Sequence, residues 1–391
     1  MKKFFFYNSI LIFFVFLILL IFLSTIGIET NKFNKILEKK ISSNITNVQV
    51  NLDKIKLKLN LKNLSFFVTT KKPKIQFYNN PIQIKKIDAY LAFSSFLTGS
   101  PKLDKIYVSS GDTDVKELKK VIKYLKPSNI KKFFLNETKE GKLNFNLDLD
   151  LIDNEINSYE VSGYVKNLVA NIQNIQIKGT SFIYVLNKQK GEINNLRGSI
   201  NDIVISSGSI KYENSKILNV SGELNSEALL TKKDLAKIFQ KTKFKNIKNV
   251  NVQGSLKKIF EINLDETLKV IDYNFNLTGN IKNSEISFQK PLKLNILKNE
   301  IKNLLFEKTE FKVNFDKKGK KNLNFNGLYK ANNKSLQKFN FKNDISNTQK
   351  ISIDGDADNE LIFPLINYDT KNQITNIKSD FEIGKNSIKV N

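Results

Sequence analysis

Two sets of carboxylates are spaced to act together: Asp148 with Asp150, and the run Asp354, Asp356, Asp358 and Glu360. Each set alternates with other residues, so within a strand its members share one face. Hard oxygen ligands of this kind suit Ca²⁺, although the spacing of an EF-hand loop is not met. Nothing else in the chain supports them. The 391 residues include no His and no Cys. Their absence removes the commonest general base and metal ligand, thiolate nucleophiles, disulfides and thiolate metal sites. No Rossmann fingerprint, P-loop, H-E-x-x-H or G-x-S-x-G elbow occurs. The carboxylates therefore read as solvated strand edges or turns, and the chain reads as no enzyme, with no cofactor and no metal.

The elements that would position any site begin with a membrane segment. From Phe4 to Ile28 no residue is charged. Helical rise over that stretch is roughly 37 Å, more than the hydrocarbon core of about 30 Å. Phe4, Phe5, Phe6 and Tyr7 sit where an interfacial aromatic belt would lie. Ile10, Leu11, Ile12, Phe13, Phe14, Val15, Phe16, Leu17, Ile18, Leu19, Leu20, Ile21, Phe22 and Leu23 fill the span. Ser24-Thr25-Ile26-Gly27-Ile28 lacks a small-x-small cleavage site, so the segment reads as an uncleaved signal anchor. Lys2 and Lys3 precede it and Lys32, Lys35, Lys39 and Lys40 follow it, so positive charge alone does not orient it. A short tail before a long domain fits export of the large part. Phe33, Ile36, Leu37 and Ile41 then fall on one face at helical spacing, a short amphipathic connector.

Most of the remainder alternates with period two. Val48, Val50 and Leu52 begin it, followed by Ile55, Leu57, Leu59 and Leu61, then Leu64, Phe66 and Val68. Ile82, Ile84 and Ile87 open another strand region, Gly99-Ser100-Pro101 marks a turn, and Ile106-Tyr107-Val108 is a short strand. Leu143, Phe145, Leu147, Leu149 and Leu151 face one way while Asn144, Asn146, Asp148 and Asp150 face the other. The period recurs at Ile262 and Leu264, at Tyr273, Phe275 and Leu277, at Leu292, Leu294 and Ile296, and at Phe311, Val313 and Phe315. Two helices interrupt. Asp114 caps one, with Glu117 as a capping-box partner, Val115, Leu118, Ile122 and Leu125 as its stripe, and Pro127 as its end. It reads either as a cap over one end of the sheet or as an ordinary packing helix. The other spans Thr231–Phe239.

An apolar residue, any residue, then Gly recurs at Val161, Ile177, Val220, Val252, Leu277, Phe325 and Ile353, each with Gly two positions later. Each Gly takes the same sheet face as that apolar residue, where a missing side chain lets a sheet bend. The spacing is irregular, so this is a loose strand repeat.

Strict alternation gives each strand one greasy and one wet face. Those greasy faces either meet in closed sandwiches or line an open groove. Too few helices exist to cover a long sheet, and a large apolar surface needs an occupant. Beside a membrane that occupant is a lipid acyl chain. The formal charge of +25 comes from scattered lysines and a single arginine, Arg197. No nucleic-acid motif accompanies it, so anionic headgroups are the expected counter-charge and nucleic acid is not a partner.

The Lys-bearing start, single membrane segment and connector, with Ile84-Lys85-Lys86-Ile87-Asp88, Phe96-Leu97-Thr98-Gly99-Ser100-Pro101-Lys102-Leu103 and the helix after Asp114, resemble the AsmA-like proteins of Gram-negative bacteria, most of all the YhdP and TamB type. The resemblance is one of architecture over the whole length, not of invariant residues. It implies a mainly β fold: an N-terminal transmembrane helix, then an elongated, curved, antiparallel-rich sheet shaped as a taco-like groove, with a few short helices. The expected domains are residues 1–28 as cytoplasmic tail and anchor, 29–130 as N-terminal strands with connector and capping helices, and 131–391 as the repetitive groove. That region breaks off mid-pattern at Asn391, so it reads as truncated or as ending on its last strand. The implied setting is the bacterial inner membrane, single-pass, with the large region in the periplasm. The implied function is phospholipid transport from inner to outer membrane, with phospholipids and outer-membrane proteins as partners. Leu143, Phe145, Leu147, Leu149, Tyr273, Phe275, Leu277, Phe311, Val313 and Phe315 are the expected groove lining. The competing expectation is a non-catalytic envelope scaffold or assembly factor built of closed sandwiches.

Overall fold

The computed structural model describes residues 2–31, 34–35, 38, 47–62, 65–91, 103–152, 155–172, 175–232, 246–332, 334–346, 348–358, 360–363, 366–371, 373–384 and 388–390. The protein is mainly β, with one long apolar N-terminal helix and a 20-stranded antiparallel sheet that does not close into a barrel. The chain divides into two compact units, Met1–Ile193 and Asn194–Asn391.

The first unit opens with α1, Lys2–Thr25. It is long and apolar enough to cross a membrane and is compatible with a single-pass anchor. The uncharged stretch was expected to continue helically to Ile28, but the helix stops at Thr25. Gly27 turns the chain at φ 73°, and a Cβ there would meet the Leu57 carbonyl oxygen at 2.6 Å. Only glycine accepts both that angle and that approach. Ile28 then starts β1, Ile28–Thr30, which pairs antiparallel with β3. The Lys58 ammonium donates to the Thr25 carbonyl at 2.5 Å, so the helix end is tied directly to the sheet.

The other strands of this unit are β2 (Val48–Asn51), β3 (Ile55–Asn60), β4 (Ser65–Lys71), β5 (Lys74–Phe77), β6 (Asn80–Ile82), β7 (Ile84–Leu91), β8 (Leu103–Ser110), β9 (Thr113–Asp114), β10 (Thr138–Ile152), β11 (Glu155–Ile172), β12 (Ile175–Asn187) and β13 (Lys190–Ile200), the last running into the second unit. Strands β2, β5 and β6 form a separate small sheet. The others pair in the order β1, β3, β4, β7, β8, β10, β11, β12, with β9 also on β10.

Helix α2 spans Val115–Ile122, and its Asp114 cap accepts from the Lys116 amide at 2.8 Å. It ends before Pro127, leaving Leu125 exposed, and Glu117 pairs with Lys120 at 2.8 Å instead of closing a capping box. A second helix, α3 (Asn129–Glu137), follows and was not expected; Ser128 caps it by accepting from Lys131 N at 3.1 Å. Lys119 binds the Leu135 carbonyl at 2.7 Å and also that of Thr138, which locks α2 to α3. The α2–α3 pair lies at the start of β10. The far end of β10 pairs with the start of β8, beside the strand ends that meet α1. The helices therefore sit at the opposite strand ends from the anchor.

The second unit continues with β14 (Ile203–Asn214), β15 (Leu218–Thr231), β16 (Ile247–Leu264), β17 (Val270–Leu292), β18 (Ile301–Asp316), β19 (Lys321–Ala331), β20 (Gln337–Ile345), β21 (Gln349–Ala357), β22 (Ile362–Phe363), β23 (Tyr368–Asp369), β24 (Thr375–Ile383) and β25 (Ile388–Val390). Every regular element described here is a strand. Successive strands pair as hairpins, with the small β22–β23 ribbon set aside between β21 and β24. Leu294 and Ile296 were expected to extend a strand; they follow the end of β17 in a turn and stand about half exposed, at 49% and 50%. The connector at Phe33, Ile36, Leu37 and Ile41, the strand position Leu64, the turn at Gly99-Ser100-Pro101, most of the Thr231–Phe239 helix, and the side chains of Phe4, Phe5 and Phe6 lie outside the described residues.

Two strand glycines, Gly222 and Gly279, lie against aromatic rings on the next strand, whereas Gly327 lies against Thr309 and Gly355 against the backbone of β20. Gly222 pairs with Phe260, Gly279 with Phe311, and Gly327 and Gly355 both with Phe339. A Cβ on Gly279 would meet the Phe311 ring at 2.5 Å and also press on the Ser255 carbonyl. The ring lies across the bare backbone, an arrangement that covers a strand glycine. Gly279→Val is therefore expected to destabilise by about 1–3 kcal/mol, the usual cost of overpacking. Adding Phe311→Ala should restore part of the loss, giving a non-additive cycle in urea unfolding; additive effects would contradict the close approach.

Candidate functional site

Directly paired residues send their side chains to the same side of a sheet. In the first unit one row runs Leu57, Val68, Ala89, Ile106, Leu149, Tyr159 from β3 to β11. A second runs Ile55, Thr70, Ile87, Val108, Leu147, Val161, Leu186. Phe145 pairs with Gly163, which pairs with Tyr184, and Leu143 pairs with Val165. Leu143, Phe145, Leu147 and Leu149 therefore share one apolar face. The opposite face carries ion pairs, Lys86 with Asp88 at 2.6 Å and Lys105 with Asp148 at 3.0 Å.

The second unit repeats the arrangement over more strands. One row is Gly222, Phe260, Phe275, Phe315. The next is Leu224, Lys258, Leu277, Val313, Leu323, Asn343, Ile351, Phe381. The third is Ser226, Leu256, Gly279, Phe311, Phe325, Phe341, Ile353, Ser379. Tyr273 pairs with Ile262 on the same face. The rings touch in sequence: Phe275 and Phe315 are stacked at 4.9 Å, Tyr273 and Phe275 lie at 5.5 Å, and Phe311 and Phe325 are stacked at 5.9 Å. On the reverse face the same strands carry Asn276, Asn314, Lys312, Asn324, Lys342, Lys350 and Lys378.

Two bulges preserve this division. Lys282 falls out of register between Ile281 and Asn283, and a shift around Lys308, at φ 45°, separates Glu307 from Glu310. An extra residue restores the alternation after a change of pattern. Val252, Ser284, Phe306 and Tyr329 thus continue the apolar face beyond the bulges.

None of the ten expected lining residues is buried. Each is half-buried, whereas the fully enclosed hydrophobic side chains of the second unit, such as Val250, Ile301 and Ala331, lie toward strand ends. At about 4.8 Å per strand and about 6.8 Å per facing pair, the rows have a footprint of roughly 700 Å² on one side of the sheet. Sequence alternation identified ten of these residues. It missed Phe260, Phe325, Phe341 and Phe381, whose alternation with polar residues was equally readable.

The carboxylates do not assemble. Asp150 accepts from Ser158 at 2.8 Å, and Lys105 bridges toward Asp148 and Asp150 on the face opposite the apolar rows. Asp354 and Asp356 alternate on β21, but that strand ends at Ala357, so the expected shared face stops there. Asp358 binds Ser335, whose hydroxyl holds its carboxyl below the usual range, and Glu360 is paired with Lys298. Among the described residues no cluster of acidic side chains could hold a metal ion. A depression of about 410 Å³ on the polar face includes Ser209, Ser221, Glu223 and Glu261. Glu223 is bound to Lys257 at 2.9 Å and Glu261 accepts from Asn219 at 2.7 Å, so both carboxylates are engaged. The chain matches no protein-family model, no curated protein and no solved structure.

Tyr184 is the most perturbed phenol on the first apolar face. It is 7% exposed, donates to the Asn144 carbonyl at 3.0 Å, and burial pushes its pKa up to about 12. A raised folded pKa means its stabilisation is complete below the ordinary phenol value near 10 and is lost as pH rises through about 12. Phenolate titration of the wild type should include a tyrosine ionising near 12 that is absent from Tyr184→Phe, and at most about 3 kcal/mol of alkaline destabilisation should go with it. A titration identical in both would contradict the buried setting.

Proposed function

We propose that the protein is an inner-membrane-anchored, periplasmic lipid-binding protein of the AsmA-like kind. Its apolar face holds the acyl chains of phospholipids and contributes to their movement from the inner toward the outer membrane and so to envelope integrity. The observation that carries this reading is the aromatic face of the second unit, partly exposed along its rows while its reverse carries lysines and asparagines. Water is a poor neighbour for such a surface, and hydrocarbon is a good one. The anchor supplies the source: β1 begins three residues after α1, so the first strands start at the bilayer surface. Outer-membrane proteins are the expected receiving partners, and no step in this role requires a catalytic residue or cofactor.

A photoreactive benzophenone side chain tests the reading in intact cells. Placed at Leu277 it should form adducts with phospholipid; placed at the neighbouring Thr278, on the opposite face, it should not. A closed sandwich core would instead give no lipid at either position. Phe275→Asp adds a second readout. In an open lipid-bearing face it lowers lipid capture at position 277 several-fold and leaves the strand content intact. In a closed core the buried carboxylate would unfold the sheet.

A further inference from the structure

Lys258 occupies a position where every neighbour is apolar. Its paired residues are Leu224 on β15 and Leu277 on β17, and Leu256 and Phe260 flank it along the same face of β16. Its ammonium lies 4.8 Å from the centre of the Phe275 ring and 5.8 Å from that of Phe260. The three rows traced across the second unit contain no other charged side chain; the next cation along them is the exposed Lys321, which opens β19 beyond Phe315. Among the described residues no carboxylate pairs with Lys258, whereas its chain neighbour Lys257, on the polar face, is bound to Glu223 at 2.9 Å.

A cation with only ring faces for company is under-compensated. Burial holds its pKa below the ordinary lysine range, and the rings offset only part of the lost hydration. A methionine or leucine would suit the packing better. An anion laid beside the ammonium would complete the site, and on this face an anion arrives attached to a hydrocarbon chain.

We propose that Lys258 is the headgroup-binding residue of the apolar face. It selects an anionic amphiphile, one whose phosphate is not neutralised by an ammonium of its own, while the chains lie on the neighbouring aromatic rows. The ammonium offers three hydrogen-bond donors to the phosphate oxygens. The flexible stem lets the charge stay with the headgroup while its methylenes remain against Phe260 and Phe275. This inference rests on the lipid-face reading.

The test uses the full chain with a benzophenone at Val313, two strands from Lys258 in the same row, with Leu277 between them. It is reconstituted in vesicles of equal parts phosphatidylglycerol and phosphatidylcholine, and the lipids captured on irradiation are identified by mass. The wild-type chain should be enriched several-fold in phosphatidylglycerol. Lys258→Met should return the ratio to that of the vesicle at unchanged total yield, and Lys258→Arg should keep the enrichment. Circular dichroism should show Lys258→Met at least as stable as wild type. An enrichment that survives in Lys258→Met would overturn the assignment. Loss of enrichment on adding inorganic phosphate would also overturn it, because Lys258 would then take a free anion. A wild-type chain that captures no lipid at all would remove the lipid-face reading itself, and that failure is visible before the variants are compared.

Discussion

A one-residue slip in a strand sends every side chain to the opposite face, and the whole structure depends on this not happening. In the second unit the rows Leu277–Val313–Leu323 and Gly279–Phe311–Phe325 remain aligned because each hairpin preserves its register. Where an extra residue enters, as at Lys282 and near Lys308, it is expelled as a bulge and the apolar side resumes. The glycines belong to the same constraint. Gly222 and Gly279 leave room for Phe260 and Phe311 to lie over the adjacent backbone, so aromatic density does not force the strands apart.

The constraint explains why a sheet rich in Lys and Asn can be polar on one side and apolar on the other. Lysines and asparagines collect on the reverse face, where Lys312, Lys342 and Lys350 meet water. The rings collect on the apolar face without a second layer of helices among the described elements of that unit. In the first unit the connection of α1 to the sheet is equally local: Gly27 turns the chain out of α1 and Ile28 pairs at once with Leu57. Helix α1 and the sheet are one continuous piece of backbone geometry.

Much of this was readable in the residues. Period-two alternation around Leu143–Leu151, Tyr273–Leu277 and Phe311–Phe315 marks strands and the shared face, because side-chain direction in a strand is fixed by parity. The cap at Asp114 identifies the start of α2. What parity does not encode is where a pattern stops. Leu294 and Ile296 alternate as well as any strand pair, yet they lie in a turn that brings Leu297 to Leu361. Helix α3 escaped notice because its Ser128 cap follows Pro127, which reads as the end of the preceding helix. The role of Lys258 was hidden for another reason: one lysine among many carries no signal until the registers surround it with Leu224, Leu277 and two rings.

The most direct test of the open apolar face is nitroxide accessibility in the full chain reconstituted in vesicles. The absence of native cysteine allows single labels without background. One label replaces Leu323 on the apolar face and another replaces Asn324 on the reverse. Relaxation by oxygen, which partitions into hydrocarbon, is compared with relaxation by an aqueous nickel chelate. The account predicts that oxygen dominates at position 323 and nickel at 324. A label at 323 shielded from both would mean a closed core, and one relaxed mainly by nickel would mean a wet face; either result would contradict a lipid-bearing surface.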